Sequence, residues 1–159
     1  MGSDPDSPRA VRMAVANDMS SVGMIAQETG LFPAEMAAEL FDGCREKPRE
    51  ALFLVAAGPR SVLGFAYGER ERLTTATWNV RAIAVTPTSQ RTGVARELLR
   101  EVENAIVGLG GRVVIIETSD DDDQRPACRF YEMAGYAREA RIRDFWNEGV
   151  AKLIFWKRL

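Results

Sequence analysis

The stretch Trp78-Asn79-Val80-Arg81-Ala82-Ile83-Ala84-Val85-Thr86-Pro87-Thr88-Ser89-Gln90-Arg91-Thr92-Gly93-Val94-Ala95-Arg96-Glu97-Leu98-Leu99 decides the fold. Its first third is apolar and suits a strand from Trp78 to Val85, closed by Pro87. Its last third opens a helix, because Ala95, Leu98, Leu99, Val102, Ala105, Ile106 and Leu109 recur at helical spacing while Arg96, Glu97, Arg100, Glu101 and Glu103 face outward. Between them Gln90–Ala95 falls at a helix N-terminus, where orphan amides and the helix dipole favour an anion. Gly93 lets the backbone approach that anion, Ala95 keeps the next position small, and Arg91 adds a cation. The spacing matches neither a dinucleotide fingerprint nor a P-loop. The residues alone define an anion site without identifying the anion.

Working outward, Val11–Val15 reads as an opening strand and Met19–Thr29 as a helix ended by Gly30. Pro33 fits the first turn of a second helix running to Cys44. Ala51–Ala57 is a continuous apolar strand, Gly58–Ser61 a turn, Val62–Tyr67 the returning strand, and Gly68–Thr74 a charged loop. After Gly110-Gly111 the β-branched run Val113–Thr118 suits a buried strand. A short helix from Pro126 to Ala134 ends at Gly135, and two strands follow at Tyr136–Ile142 and Lys152–Lys157. The closing run Lys152–Leu159 alternates like an edge strand, the kind that pairs between subunits, so a homodimer is expected. The predicted order is β-αα-βββ-α-β-α-ββ, an α/β fold on a mixed sheet with about seven strands and about four helices.

A chain of 159 residues fits one domain, taken as 10–159 behind a flexible leader at 1–9. At 46% hydrophobic and 28% charged, with net charge -2, it lacks the basic footprint of a nucleic-acid binder. No window is apolar enough to span a membrane, and Met1–Ser7 reads as neither a signal nor a transit sequence. Cys44 and Cys128 match no metal or redox spacing, which fits two buried thiols in a reducing cytoplasm. The sequence has no histidine, so Ser-His-Asp and Cys-His hydrolysis and His-ligated metals are excluded. A general base must then be a carboxylate, tyrosine, neutral amine or water. The acids Asp120–Asp123 lack the alternation of a calcium loop and read as a solvated run that favours the next helix start.

Gln90-Arg91-Thr92-Gly93-Val94-Ala95 resembles the Q/R-x-x-G-x-G/A signature of the GNAT superfamily of N-acyltransferases. Ile83-Ala84-Val85-x-Pro87 before it and Phe130-Tyr131-x-x-x-Gly135-Tyr136 after it are similar to the same family, in register, over nearly the whole chain. The resemblance implies an acetyl-CoA-dependent N-acetyltransferase that needs no metal. It implies that the cofactor lies in a gap between the fourth and fifth strands. The backbone of Ile83, Ala84 and Val85 would meet its pantetheine arm, and Gln90, Arg91, Thr92, Gly93, Val94, Ala95 and Arg96 would surround its pyrophosphate. Gln124 stands where the family often has an asparagine that contacts CoA.

For catalysis, the resemblance gives Tyr131 the place of a tyrosine that serves the departing thiolate. A half-buried packing aromatic is the other reading. The fourth strand, where family members often carry a glutamate base, has none here; Glu117 is the nearest substitute, with a loop-anchoring role as its alternative. Glu28, Phe32, Tyr67, Phe145 and Trp146 fall in segments that commonly border the acceptor. The expected acceptor is the primary amine of a small metabolite. N-acetylation of a protein, or a non-catalytic acyl-CoA sensor, stays open on this reading.

Overall fold

The computed structural model describes residues 9–159, so all but the last residue of the expected leader lies outside the described part. The elements are β1 (Ala10–Met13), α1 (Met19–Glu28), α2 (Met36–Glu46), β2 (Ala51–Ala57), β3 (Val62–Arg70), β4 (Thr77–Val85), α3 (Val94–Gly108), β5 (Val113–Ser119), α4 (Arg125–Met133), β6 (Ala137–Asn147) and β7 (Val150–Arg158). Their order is the one the hydrophobic periods predict.

The strands form one sheet in the order β1-β2-β3-β4-β5-β7-β6. Every neighbouring pair is antiparallel except β4 and β5, which are parallel and joined through α3. The sheet carries a core on each face, and alternate residues of β2, β3 and β4 feed both. Leu52, Leu54, Val80, Ile116, Leu153 and Phe155 pack with Leu98, Leu99, Val102 and Ile106 of α3 and with Tyr131 of α4. Phe53, Val55, Phe65, Tyr67 and Ala82 pack with Val22 and Ile25 of α1 and with Ala37 and Phe41 of α2. The second core contains no residue of β5, β6 or β7. The α1/α2 face of the sheet therefore stays open over its C-terminal half.

Three expectations need correction. The charged loop at Gly68–Thr74 begins as strand: β3 continues to Arg70, and Glu71 N–H still donates to Thr77 O. Charges that suggest a loop are tolerated here because they meet a countercharge across the sheet. The second helix starts at Met36, with Pro33 in the turn before it. The closing strand is interior, since β7 pairs with β5 on one side and β6 on the other. Its alternation reflects one covered and one open face, which an edge position is not needed to explain. The C-terminal edge is β6, exposed along nearly its whole length.

Candidate active site

The site begins where β4 leaves β5. Pairing runs from Thr77 opposite Val113 to Val80 opposite Ile116 and stops there. On its other side β4 changes register: Gly68 faces Val80 while Tyr67 faces Ala82, so Arg81 is the extra residue of a β-bulge. A bulge bends and twists its strand, and this one coincides with the end of the β4–β5 ladder. Beyond it Arg81–Val85 continues beside β3 alone. The backbone of Ile83, Ala84 and Val85 thus borders a wedge-shaped opening in a seven-stranded sheet.

At the far end of that wedge lies the turn into α3. Gly93 caps the helix with φ 89°, and Arg91 also has a positive φ, of 62°. Both sit in the left-handed region, which glycine enters without cost and arginine does not. Gln90 Nε2 donates to Val85 O at 3.3 Å, tying the turn back to β4. Thr92 Oγ1 donates to Ser89 O. Val94 is buried and anchors the helix in the core, while Arg91, Thr92, Gly93 and Arg96 are exposed. Arg9, which the sequence reading overlooked, clamps this turn: Nη2 donates to Thr92 O at 3.1 Å, and Nε and Nη2 both bond Glu97. Those bonds hold Glu97 below the usual carboxylate range and neutralise the one acid in the helix's first turn. Backbone amides, left-handed residues and two exposed arginines fit a diphosphate.

On the α1/α2 face, the guanidinium of Arg81 gathers three carboxylates. Nε donates to Glu69 Oε1 at 2.9 Å, Nη2 to Glu71 Oε1 at 3.1 Å, and Nη1 to Glu117 Oε2 at 3.2 Å across the parting strands. The other oxygen of Glu117 is 2.8 Å from Lys152 Nζ. Tyr67 OH donates to Glu69 Oε2 at 3.2 Å; burial, reinforced by that carboxylate, pushes the phenol upward. Asn79 is fully buried, with Nδ2 on Glu71 Oε1 at 2.8 Å and Oδ1 without a partner. Lys152 also lies 4.3 Å from the Phe145 ring centroid and 5.6 Å from that of Trp146. Trp146 Nε1 donates to Thr118 O, fixing the indole at the end of β5.

Of the sequence-predicted residues, Glu117, Tyr67, Phe145 and Trp146 therefore come together. Glu28 stands exposed at the end of α1, and Phe32 packs edge-on against Phe65 in the second core. Neither bonds to the Arg81 cluster. Tyr131 lies in the first core among the rings of Phe130, Tyr136 and Phe155, and burial raises its phenol above the ordinary tyrosine value. Gln124, the residue that caps α4, accepts a bond from Thr118 Oγ1 at 3.1 Å. Sequence reading missed Arg81, Glu69, Glu71 and Lys152. The signal was present as charges interrupting apolar strands, but it becomes legible only once register puts them side by side.

The class is now defined by fold and opening together. Residues 22–136 match the acetyltransferase (GNAT) family. A GNAT-family protein from Desulfovibrio desulfuricans is 31% identical, with TM-score 0.87, covering 94% of this chain and 98% of that one. At lower identity the fold recurs in a Salmonella typhimurium protein solved with its cofactor acetyl-CoA (15% identical, TM-score 0.81, 96% and 95% covered). It recurs again in an aminoglycoside 6′-N-acetyltransferase solved with coenzyme A (14%, TM-score 0.81, 94% and 96%). No curated protein matches the chain. The chain belongs to the acetyltransferase (GNAT) family and is an acetyl-CoA-dependent acetyltransferase.

Proposed function

We propose that the protein acetylates the primary amine of a small metabolite by direct attack within a ternary complex, in the cytoplasm. The observation that carries this reading is the parting of β4 and β5 at the Arg81 bulge, with the α3 turn at the other end of the same strand edge. From Arg81 to Val85 that edge is about 13 Å long at ~3.3 Å per residue, room for an extended arm between an anion cradle and a reaction centre.

In this reading, backbone groups of Ile83, Ala84 and Val85 pair with the amides of the pantetheine arm as an added strand would. The turn from Gln90 to Arg96 receives the pyrophosphate. Bound acetyl-CoA supplies an activated thioester, and the protein's work is positioning. The acceptor amine enters from the open α1/α2 face past Tyr67, Glu69 and Trp146. As its nitrogen bonds to the acetyl carbon, its proton passes through water to a carboxylate of the Arg81 cluster. Glu117 has both oxygens held by cations, which also supports an anchoring role for it. Tyr131, kept protonated by burial, donates a hydrogen bond to the departing sulfur rather than a full proton. Glu28 and Phe32 border the acceptor side from α1 and the segment after it. For the expected homodimer, the exposed strand β6 is the supporting surface.

Thermal melts with CoA and thiol release from acetyl-CoA test the proposal. CoA at a hundred times its Kd should stabilise the fold by about 2.7 kcal/mol. Thiol release should appear only when a primary amine is added. No thermal shift at saturating CoA would overturn the assignment of the cofactor site.

A further inference from the structure

We infer that the acceptor is a cationic amine without a carboxylate, a diamine or polyamine rather than a zwitterionic amino acid, recognised by Glu69 and Glu71. The inference rests on the Arg81 cluster being the acceptor side of the transferase site.

Charge decides the class. Glu69, Glu71 and Glu117 set three carboxylates against the two cations Arg81 and Lys152, leaving one negative charge in excess. Both cations are committed. Arg81 donates from each of its three nitrogens, and Lys152 is held between Glu117 and the Phe145 and Trp146 rings. An incoming carboxylate would find no free cation and would be repelled; an ammonium would complete the charge. The unused acceptor capacity points the same way. Glu117 has neither oxygen free, but Glu71 Oε2 has no partner among the described residues, and Glu69 Oε2 accepts only from Tyr67 OH. The carbonyl oxygen of Asn79 is a second, independent sign of a missing donor. The side chain is fully buried, its amide head already touches Glu71, and its Oδ1 is unpartnered. Buried polar atoms are nearly always bonded, so this oxygen, closed off from solvent, marks a place for a water behind the carboxylates.

The surroundings extend the match beyond one ammonium. Phe145 and Trp146 form an edge-to-face pair, centroids 4.7 Å apart, and both are about half exposed. Lys152 already occupies the cation position against both rings, and their exposed remainder can carry the alkyl chain of an acceptor. At the same end of β5, Asp120–Asp123 and Gly149 line an acidic depression of about 470 Å³, in which Asp120 pairs with Arg141 and Asp122 with Arg125 while Asp121 and Asp123 have no cationic partner among the described residues. Its field would also draw polycations toward the site.

The test compares acceptors that differ only in the group in question: 1,4-diaminobutane, n-butylamine and 4-aminobutanoate, with thiol release as the readout. The expected kcat/KM is at least about tenfold higher for the diamine than for 4-aminobutanoate, and its KM should rise with ionic strength. Glu71→Gln and Glu69→Gln should each raise the diamine KM several-fold more than the butylamine KM. If a variant loses the fold, the salt dependence of the unmodified protein carries the test. Equal or better turnover of 4-aminobutanoate overturns the inference and leaves the transferase reading intact. An absence of turnover with every amine, in a protein that CoA stabilises, overturns both.

Discussion

Arg81 Nη1 lies 3.2 Å from Glu117 Oε2, a bond that spans the point where β4 and β5 separate. The same guanidinium reaches back to Glu69 and Glu71 on the β3 side. One side chain on a bulge thus ties together the two sides of the opening. Removing it should release three carboxylates from their countercharge. For Arg81→Gln we expect acetyl transfer to fall by at least about tenfold in kcat/KM, with CoA affinity changed less than about threefold. Steady-state kinetics beside CoA titration checks this; an equal loss in both would assign Arg81 to the cofactor instead.

Tyr131→Phe should lower kcat by about tenfold or more while leaving CoA affinity and melting temperature nearly unchanged, because the ring packing with Phe155 and Tyr136 survives. Burial raises the phenol, so it stays protonated at least to the ordinary tyrosine value of about 10. Any alkaline loss of activity below that pH should therefore persist unchanged in Tyr131→Phe. Its disappearance in the variant would contradict the assigned protonation state.

Gly93 has φ 89°, and a side chain there would stand 3.5 Å from Arg9 Nη2. Space is adequate and conformation is not. Gly93→Ala should cost about 1–2 kcal/mol of stability and weaken CoA binding more than it slows the chemical step. Arg9→Ala, which frees Thr92 O and Glu97, should weaken CoA binding in the same direction without the backbone strain. Calorimetry of CoA binding to the two variants separates conformation from charge.

Asp18 is buried, accepts from Arg12 and from Val15 N–H, and titrates below its ordinary value, chiefly because of the Arg12 hydrogen bond. A depressed folded value means the stabilisation is complete above the unfolded pKa of about 3.9 and disappears as pH falls through the folded value. Denaturant melts at about pH 7 should show Asp18→Asn less stable than the parent, with the difference shrinking below about pH 4. A difference independent of pH would remove the charge from the account.

Much of this was legible from residues alone. The 3.6-residue period from Ala95 to Leu109 specified α3, and its observed span differs by one residue at each end counted. The Gly93 turn, and its register with Ile83–Val85 and Phe130–Tyr136, pointed to the CoA-dependent family that the chain belongs to. Periodicity and turn chemistry are local properties, carried by residues within about one helical turn or one strand of each other.

What only the tertiary structure decided depends on partners far apart in sequence. The bulge at Arg81 is a mismatch between two strands and has no signature in either one. Glu69 and Glu71 looked like loop residues until β3 was seen to continue to Arg70, and Lys152 looked like edge-strand polarity until β7 was seen inside the sheet. Arg9 and Glu97 meet across 88 positions. Ion pairs of this kind are chosen by sheet order and register, which result from burying two apolar faces at once. The sequence by itself therefore determined the Gly93 turn and the element order, and the tertiary structure decided the charge and shape of the opening beside Arg81.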